Sequence, residues 1–336
     1  METKSRLKPA QRADEEIPSL LQEAFRLKRS PGLHARASEA NPLRSNMNRS
    51  LFLLASLLAV PALVHAQPDA DSIARNQPVE PYRIAGNLYY VGASDITSYL
   101  IATPEGHILL DGGFVETAPM IEANVRKLGF KLEDVKVLLS SHAHFDHAGG
   151  LAELKRATGA KFFASERDAP VLARGGKGDF YFGDRHPFPP IQADRLLHDG
   201  DTVTLGGTTM TAHLTPGHTM GNTTWTTKVK EGERTYDVVF AGSTSILPDI
   251  SLTNNTAYPE IARDYATTFR VLKSLPCDIF LGSHASFFDG PAKAERLRAG
   301  ARENPFVDPE GYREYVSRSE KTYEEQLRRE GGAPER

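Results

Sequence analysis

From about Tyr82 onward, apolar and polar residues follow two alternating patterns. The runs "NLYYVG" and "SYLIATPEGHILLDGG" read as strands joined by a Pro-Glu-Gly turn, "APMIEANVRKLGF" as a helix closed by glycine, and "VKVLLSS" as the next strand. "GGLAELKRATGA" then predicts a helix and "KFFAS" a strand. Further on, "DTVTLGGTTMTAHLT", "TTWTTKVK" and "YDVVFAGS" are strand-rich, and a helix is expected over "PEIARDYATTFRVLKSL". In that helix Pro259 suits the first turn, and Ile261, Tyr265, Phe269 and Leu272 recur at three and four residues along one face. "DIFL" reads as a last strand, and the charged segment from Pro309 to Glu330 as a surface helix. Two groups of strands, each followed by helices, predict stacked sheets covered by helices on the outside.

The first part of the chain has a different pattern. Met47 to Ser50 precede the apolar "LFLLASLLAVPALVHA", which ends in the small-residue site Val64-His65-Ala66. This is the layout of a secretory signal over 47–66. The run is shorter than the roughly 20 apolar residues of a spanning helix, and Pro61 interrupts it, so no stable membrane anchor is expected. Residues 1–46 form a polar extension of mixed charge that carries no visible chemistry; translation starting at Met47, or a disordered or weakly helical leader, accounts for it. The organisation expected is extension, signal, and a single domain over 67–336, located in the periplasm.

At 336 residues, 40% hydrophobic and 25% charged, the chain is long enough to bury a large core. Its formal net charge of −3 lacks the basic excess of a nucleic-acid binder. Export implies an oxidising compartment, yet Cys277 is the single cysteine, so no intramolecular disulfide can form. Cys277 reads as a small packed residue rather than a reactive thiol.

Directly after the strand ending in Leu139 comes "SSHAHFDHAGG". His142 and His144, two apart on extended backbone, can face the same way, and Asp146 and His147 follow as the chain turns toward Gly149-Gly150. Without a cation, the three imidazoles would repel when protonated and leave ring nitrogens unpaired when neutral, so a metal is implied. Imidazole with carboxylate suits zinc best, with iron and manganese also compatible. Further candidates sit at strand ends: His218 in "TPGHT" and His284 in "FLGSH".

With these motifs the chain resembles the metallo-β-lactamase superfamily over about residues 80–300. The likeness implies an α/β fold, the four-layer αββα sandwich, with a dinuclear site between its sheets. It implies two Zn2+ per chain, one on His142, His144 and His218, the other on Asp146, His147 and His284. His107, His186, His198 and His213 match no ligand position. Glyoxalase-like hydrolases and lactonases of this superfamily carry a metal-bridging aspartate after the fourth core strand; the stretch here is "DVVFAGSTS", with Ser243 at that place. Serine there, Asp-His in the first cluster, and "IAGNLYYVG", "YFGD", "TPGHT" and "SLPCD" together resemble class B β-lactamases of the third subclass. Members of that subclass often carry a disulfide in the C-terminal half, for which Cys277 has no second cysteine.

The function this resemblance implies is hydrolysis of the β-lactam amide in penicillins, cephalosporins and carbapenems by a metal-bound hydroxide, giving antibiotic resistance. The expected partner is a small-molecule β-lactam, and the expected state a monomer. Two zinc ions bring about +4, which Asp146 and one hydroxide reduce to about +2, suiting an anionic substrate. Ser243 and Ser245 are the candidates to bind its carboxylate or a metal-bound water, or are simply turn-forming polar residues; Asp146, besides ligation, can orient the nucleophile or deliver a proton. Phe180, Tyr181 and Phe182 form either an apolar lip or part of the body's packing. The alternatives are an exported hydrolase of the same fold acting on lactones or thioesters, and a non-catalytic zinc-binding protein.

Overall fold

The computed structural model describes residues 70–333; the signal read at 47–66 and the extension before it lie outside the described residues. Two sheets form the centre. In the first, β1 (Tyr82–Ala85), β2 (Leu88–Tyr90), β3 (Tyr99–Thr103), β4 (Gly106–Leu110), β5 (Val135–Leu139), β6 (Lys161–Ser165) and β7 (Arg195–Leu197) pair in chain order. The early strands run antiparallel, and β4 to β7 run parallel. In the second sheet, β8 (Thr202–Leu205), β9 (Thr208–Leu214), β10 (Thr223–Glu231), β11 (Arg234–Ala241) and β12 (Ile279–Gly282) lie in the order β12-β11-β10-β9-β8. Only the β11–β12 pair of that sheet is parallel.

The helices are α1 (Ala70–Arg75), α2 (Ala118–Lys127), α3 (Phe145–Ala148), α4 (Leu151–Thr158), α5 (Ala169–Ala173), α6 (Ile261–Ser274), α7 (Gly290–Arg298) and α8 (Pro309–Arg329). Alternation along the parallel strands decides which layer each side chain joins. Ile108, Leu110, Val137 and Leu139 enter the core between the sheets, where Tyr99 meets Phe240 edge-on at 5.1 Å. Leu109 and Leu138 point the other way and pack with Ile121 and Val125 of α2 and Leu151 and Leu154 of α4. On the far side, Phe280 of β12 packs against Tyr312 and Tyr315 of α8. Burying an aromatic side chain of this size contributes about 1.5–3 kcal/mol. The four layers expected from the sequence are therefore present.

Some boundaries differ from expectation. The helix placed at Pro259 begins at Ile261, with Pro259 in the preceding turn, while its apolar face, Ile261, Tyr265, Phe269 and Leu272, is buried as expected. The C-terminal helix is no mere surface element: Tyr312, Tyr315, Val316, Tyr323 and Leu327 are buried along one face. Strand β5 ends at Leu139, which frees Ser140 and Ser141 for the site.

Candidate metal centre

The ends of β5, β9, β11 and β12 and the loops after them supply the candidate side chains. Two bonds between sheets bring these loops together: Trp225 Nε1 donates to the Ser140 carbonyl at 3.0 Å, and Thr223 N to the Ser141 carbonyl at 2.8 Å. After Ser141 the chain passes through His142 and Ala143 to His144, which stands in extended conformation at the start of α3. The short helix then turns Asp146 and His147 toward the same volume. Gly150 then caps the start of α4, where a Cβ would lie 2.3 Å from the Gly112 carbonyl oxygen.

His142, His144 and His218 offer ring nitrogens within 4.8 Å of one another, with His144 Nδ1 and His218 Nε2 3.1 Å apart. A second triad lies beside it: His147 Nε2 is 3.2 Å from His284 Nε2 and 3.2 Å from Asp146 Oδ2, and His284 Nε2 is 3.7 Å from that same oxygen. His142 also lies within 4.8 Å of Asp146 and His147, and its ring centroid is 4.3 Å from that of His147, so the triads share one compact cluster.

The donor set fits metal ions. Donors held at 2.0–2.1 Å on a tetrahedral zinc are about 3.3 Å apart, which the second triad's spacings match. Nε2 of His142 and of His144 are buried without a hydrogen-bond partner, a cost that coordination chemistry within the cluster explains for His142. Burial and neighbouring imidazoles hold His142 and His144 well below the ordinary histidine range, and burial lowers His218 to about 4, so all three are neutral donors at pH 7. Burial raises Asp146, but the charge and hydrogen bond of His147 and the charge of His284 outweigh it, leaving an ionised carboxylate. For His147 burial works downward and Asp146 upward, and the net direction is up.

Partners behind the imidazoles fix which nitrogen faces the cluster. His218 Nδ1 donates to the Ser245 carbonyl at 2.7 Å, leaving the Nε2 lone pair toward His144. His284 Nδ1 lies 3.0 Å from Asp95 Oδ2, leaving Nε2 toward His147. Sequence reasoning missed Asp95, and it missed three more buried polar residues. Asp168 accepts from Ala143 N at 2.9 Å and Thr219 Oγ1 at 2.8 Å through Oδ2, and from Gly221 N at 2.7 Å through Oδ1. One carboxylate thus joins the His142–His144 loop to the His218 loop. Asn222 joins the latter to the end of β11, donating to the Thr215 carbonyl at 2.5 Å and accepting from Ser243 N at 3.0 Å. Asp111, in left-handed conformation at φ 64°, accepts from Ser141 N at 2.6 Å.

The other candidates are placed as follows. Ser243 is buried, 1% exposed, and its Oγ accepts from Ser245 N at 3.3 Å. Ser245 is exposed, with its carbonyl tied to both His218 and Tyr265. Phe182 packs edge-on to His144 at 4.9 Å and to Phe145 at 5.3 Å, and Phe180 meets Tyr258 at 5.1 Å, so the aromatic segment is built into the wall beside the first triad. His107, His198 and His213 pair with Thr103, Glu166 and Thr226 respectively, and His186 stacks on Phe145. None of these joins the triads. Cys277 is partly buried, and burial pushes its thiol up to about 12.

A family profile described as the metallo-beta-lactamase superfamily matches residues 91–284, a span that runs from the end of β2 to His284. The chain belongs to this superfamily. Solved structures of family members superpose along nearly their whole length. Native FEZ-1 metallo-beta-lactamase from Legionella gormanii is 47% identical, with a TM-score of 0.75 over 76% of this chain and 98% of that one. The class B3 di-zinc metallo-beta-lactamase LRA-12 from an Alaskan soil metagenome is 42% identical, with a TM-score of 0.72 over 78% of this chain and 98% of that one. The likeness to the third subclass read from the sequence is therefore present in the fold as well. Among curated relatives, a hydroxyacylglutathione hydrolase of Hyphomonas neptunium is 33% identical over 119 residues, 35% of this chain and 38% of that protein. The chain spans about half the length, or less, of the curated relatives it matches.

Proposed function

We propose that this protein is a di-zinc β-lactamase that hydrolyses the lactam amide of penicillins, cephalosporins and carbapenems, giving antibiotic resistance. The observation that carries the reading is the pair of adjoining donor triads, with Ser243 rather than a carboxylate following β11. Zinc bound there supplies Lewis acidity and lowers the pKa of water from 15.7 to about 7. His142, His144 and His218 would hold one ion through neutral nitrogens, and Asp146, His147 and His284 would hold the other. Asp146 is the single carboxylate of the two triads, so the loaded site stays positive and favours an anionic substrate. Being held ionised by His147 and His284, Asp146 would also orient the attacking water by accepting a hydrogen bond from it, a role separate from holding the ion.

Ser245, exposed and with its own carbonyl anchored by His218 and Tyr265, is the hydroxyl to receive the substrate carboxylate. Ser243 acts with it by accepting from Ser245 N and so setting the turn. Phe182 excludes water along the His144 side. Purified protein is expected to hydrolyse a carbapenem, to lose this with a chelator, and to regain it with zinc; failure of a zinc-loaded sample on all three β-lactam classes would refute the proposal.

A second reading, thioester hydrolysis, is favoured by the likeness to hydroxyacylglutathione hydrolase. A glutathione thioester assayed beside the carbapenem separates them. The same proposal includes a monomeric periplasmic enzyme whose export signal is cleaved after Ala66, so that the mature chain starts at Gln67; an intact mass retaining residues 1–46 would contradict it.

A further inference from the structure

The segment before β1 makes contacts that ligand spacing does not require. Residues 74–77 run beside the loop 94–96: Ser94 N donates to the Gln77 carbonyl at 2.9 Å, and Asp95 N and Ile96 N both donate to the Arg75 carbonyl, at 2.9 and 3.3 Å. Ser94 Oγ closes the arrangement by donating to the Ala74 carbonyl at 3.0 Å and accepting from Gln77 N at 3.1 Å. The strap is itself anchored, because Asn76 Oδ1 accepts from Thr117 Oγ1 at 2.7 Å.

The other side of the same loop grips the His284 segment. Asp95 Oδ2 lies 3.0 Å from His284 Nδ1, Asp95 Oδ1 accepts from Ser286 N at 2.8 Å, and the Asp95 carbonyl accepts from Ala285 N at 2.8 Å. Ile96 pairs with His284 as an isolated antiparallel bridge, and Thr97 Oγ1 donates to the Gly282 carbonyl at 2.8 Å. His284 thus follows β12, but its ring is set by a loop nearly two hundred residues earlier, and that loop is held by residues 74–77.

We propose that Asp95 is the positioning residue of His284 and that residues 74–77 are the strap that holds Asp95 in place, which makes the N-terminal segment a working part of the second metal site. This rests on the reading that His284 is a ligand. A carboxylate behind imidazole Nδ1 fixes the tautomer, points the Nε2 lone pair at the ion and raises its basicity. The strap acts at one remove, since its bonds reach the backbone and Ser94 side chain of the loop rather than His284.

The test is zinc competition against a chelating dye, which reads two affinities per chain, alongside thermal unfolding of the metal-free protein. In the full chain, Asp95→Ala is expected to weaken the second zinc about 10- to 100-fold and leave the first within twofold. Asp95→Asn, which keeps an oxygen for His284 Nδ1, should recover part of the loss. Ser94→Ala, which leaves the carboxylate in place and cuts two strap bonds, should weaken the second zinc about threefold to tenfold with the first unchanged. His284→Ala is the control. If it loses the second zinc while Asp95→Ala does not, the positioning role is overturned and the ligand assignment stands. If His284→Ala keeps the second zinc, the ligand assignment fails, and the positioning role with it. Equal weakening of both zincs by Asp95→Ala, or a fall in metal-free unfolding temperature that accounts for the loss, would mark Asp95 as merely structural. An unchanged second affinity in Ser94→Ala would remove the strap.

Discussion

His218 Nδ1 donates to the backbone carbonyl of Ser245 at 2.7 Å, and this one carbonyl also accepts from Tyr265 OH at 2.8 Å. The orientation of a metal-site imidazole and the position of the exposed serine beside it are therefore a single structural variable, anchored on helix α6. Tyr265→Phe removes one of the two donors without changing the ring that packs under Gly217. It is expected to lower stability by about 1 kcal/mol and to raise KM for a β-lactam more than it lowers kcat. Steady-state kinetics with thermal unfolding check this, and an unchanged KM would separate the serine from substrate binding.

Asp168 offers a sharper case, because both its oxygens are taken by donors from two different ligand loops. Burial raises its carboxyl to about 6 although Thr219, Gly221 and Ala143 all pull it down, so it is still ionised at pH 7. Asp168→Asn would turn an amide NH2 toward a backbone N–H and leave a buried donor unpaired, costing about 1–3 kcal/mol. Zinc bound by His142, His144 and His218 should be released first, since these loops lose their common tether. Metal analysis after dialysis against a weak chelator would show this as one zinc lost per chain; retention of both would contradict it.

Much of the site was legible because its first part is local. Four donors between His142 and His147 follow one strand, and strand-end histidines at 218 and 284 completed the set. The supporting carboxylates were not legible. Asp95 acts on His284 across 189 positions and Asp168 on Gly221 across 53, and a single aspartate in a loop has no local signature to mark such a role. Strands β1 and β7 span four and three residues, too short for alternation to appear. For α8, charge obscured the pattern: Tyr312, Tyr315, Val316, Tyr323 and Leu327 have helical spacing, but charged residues crowd every turn between them.

Cys277 should be chemically silent in the fold. Burial, with the nearby Asp278, pushes its thiol from 9.0 to about 12. At pH 8 the folded protein then holds almost no thiolate, and iodoacetamide should label it far more slowly than it labels the urea-unfolded chain. The linkage has a definite sign. Between about 9 and 12 the unfolded chain gives up this proton and the folded one keeps it, so the group's contribution to stability is present below pH 9 and is lost as pH rises. Stoichiometric labelling of the native protein at pH 8 would contradict the burial.

Ser243 tests the assignment of reaction class. Replacing it with Asp introduces, just after β11, the carboxylate that bridges the metals in lactonase-like members of the superfamily. Such a bridge would tighten zinc while lowering the charge of the loaded site by about one unit. An anionic β-lactam should then bind less well and meet a less electrophilic centre, with turnover falling more than tenfold, equivalent to about 1.4 kcal/mol in the barrier. A neutral lactone should suffer less, because only its reaction and not its binding depends on that charge. The buried turn adds a structural requirement: Ser243 N is held by Asn222, and its Oγ accepts from Ser245 N, an acceptor role that an aspartate oxygen can keep. Unfolding temperature and zinc retention measured with the kinetics distinguish a misfolded variant, which loses zinc, from the expected one, which holds it more tightly. Full β-lactam turnover in a variant with unchanged zinc affinity would show that residue 243 does not face the metals, and the preference for lactams over lactones and thioesters would lose its main physical support.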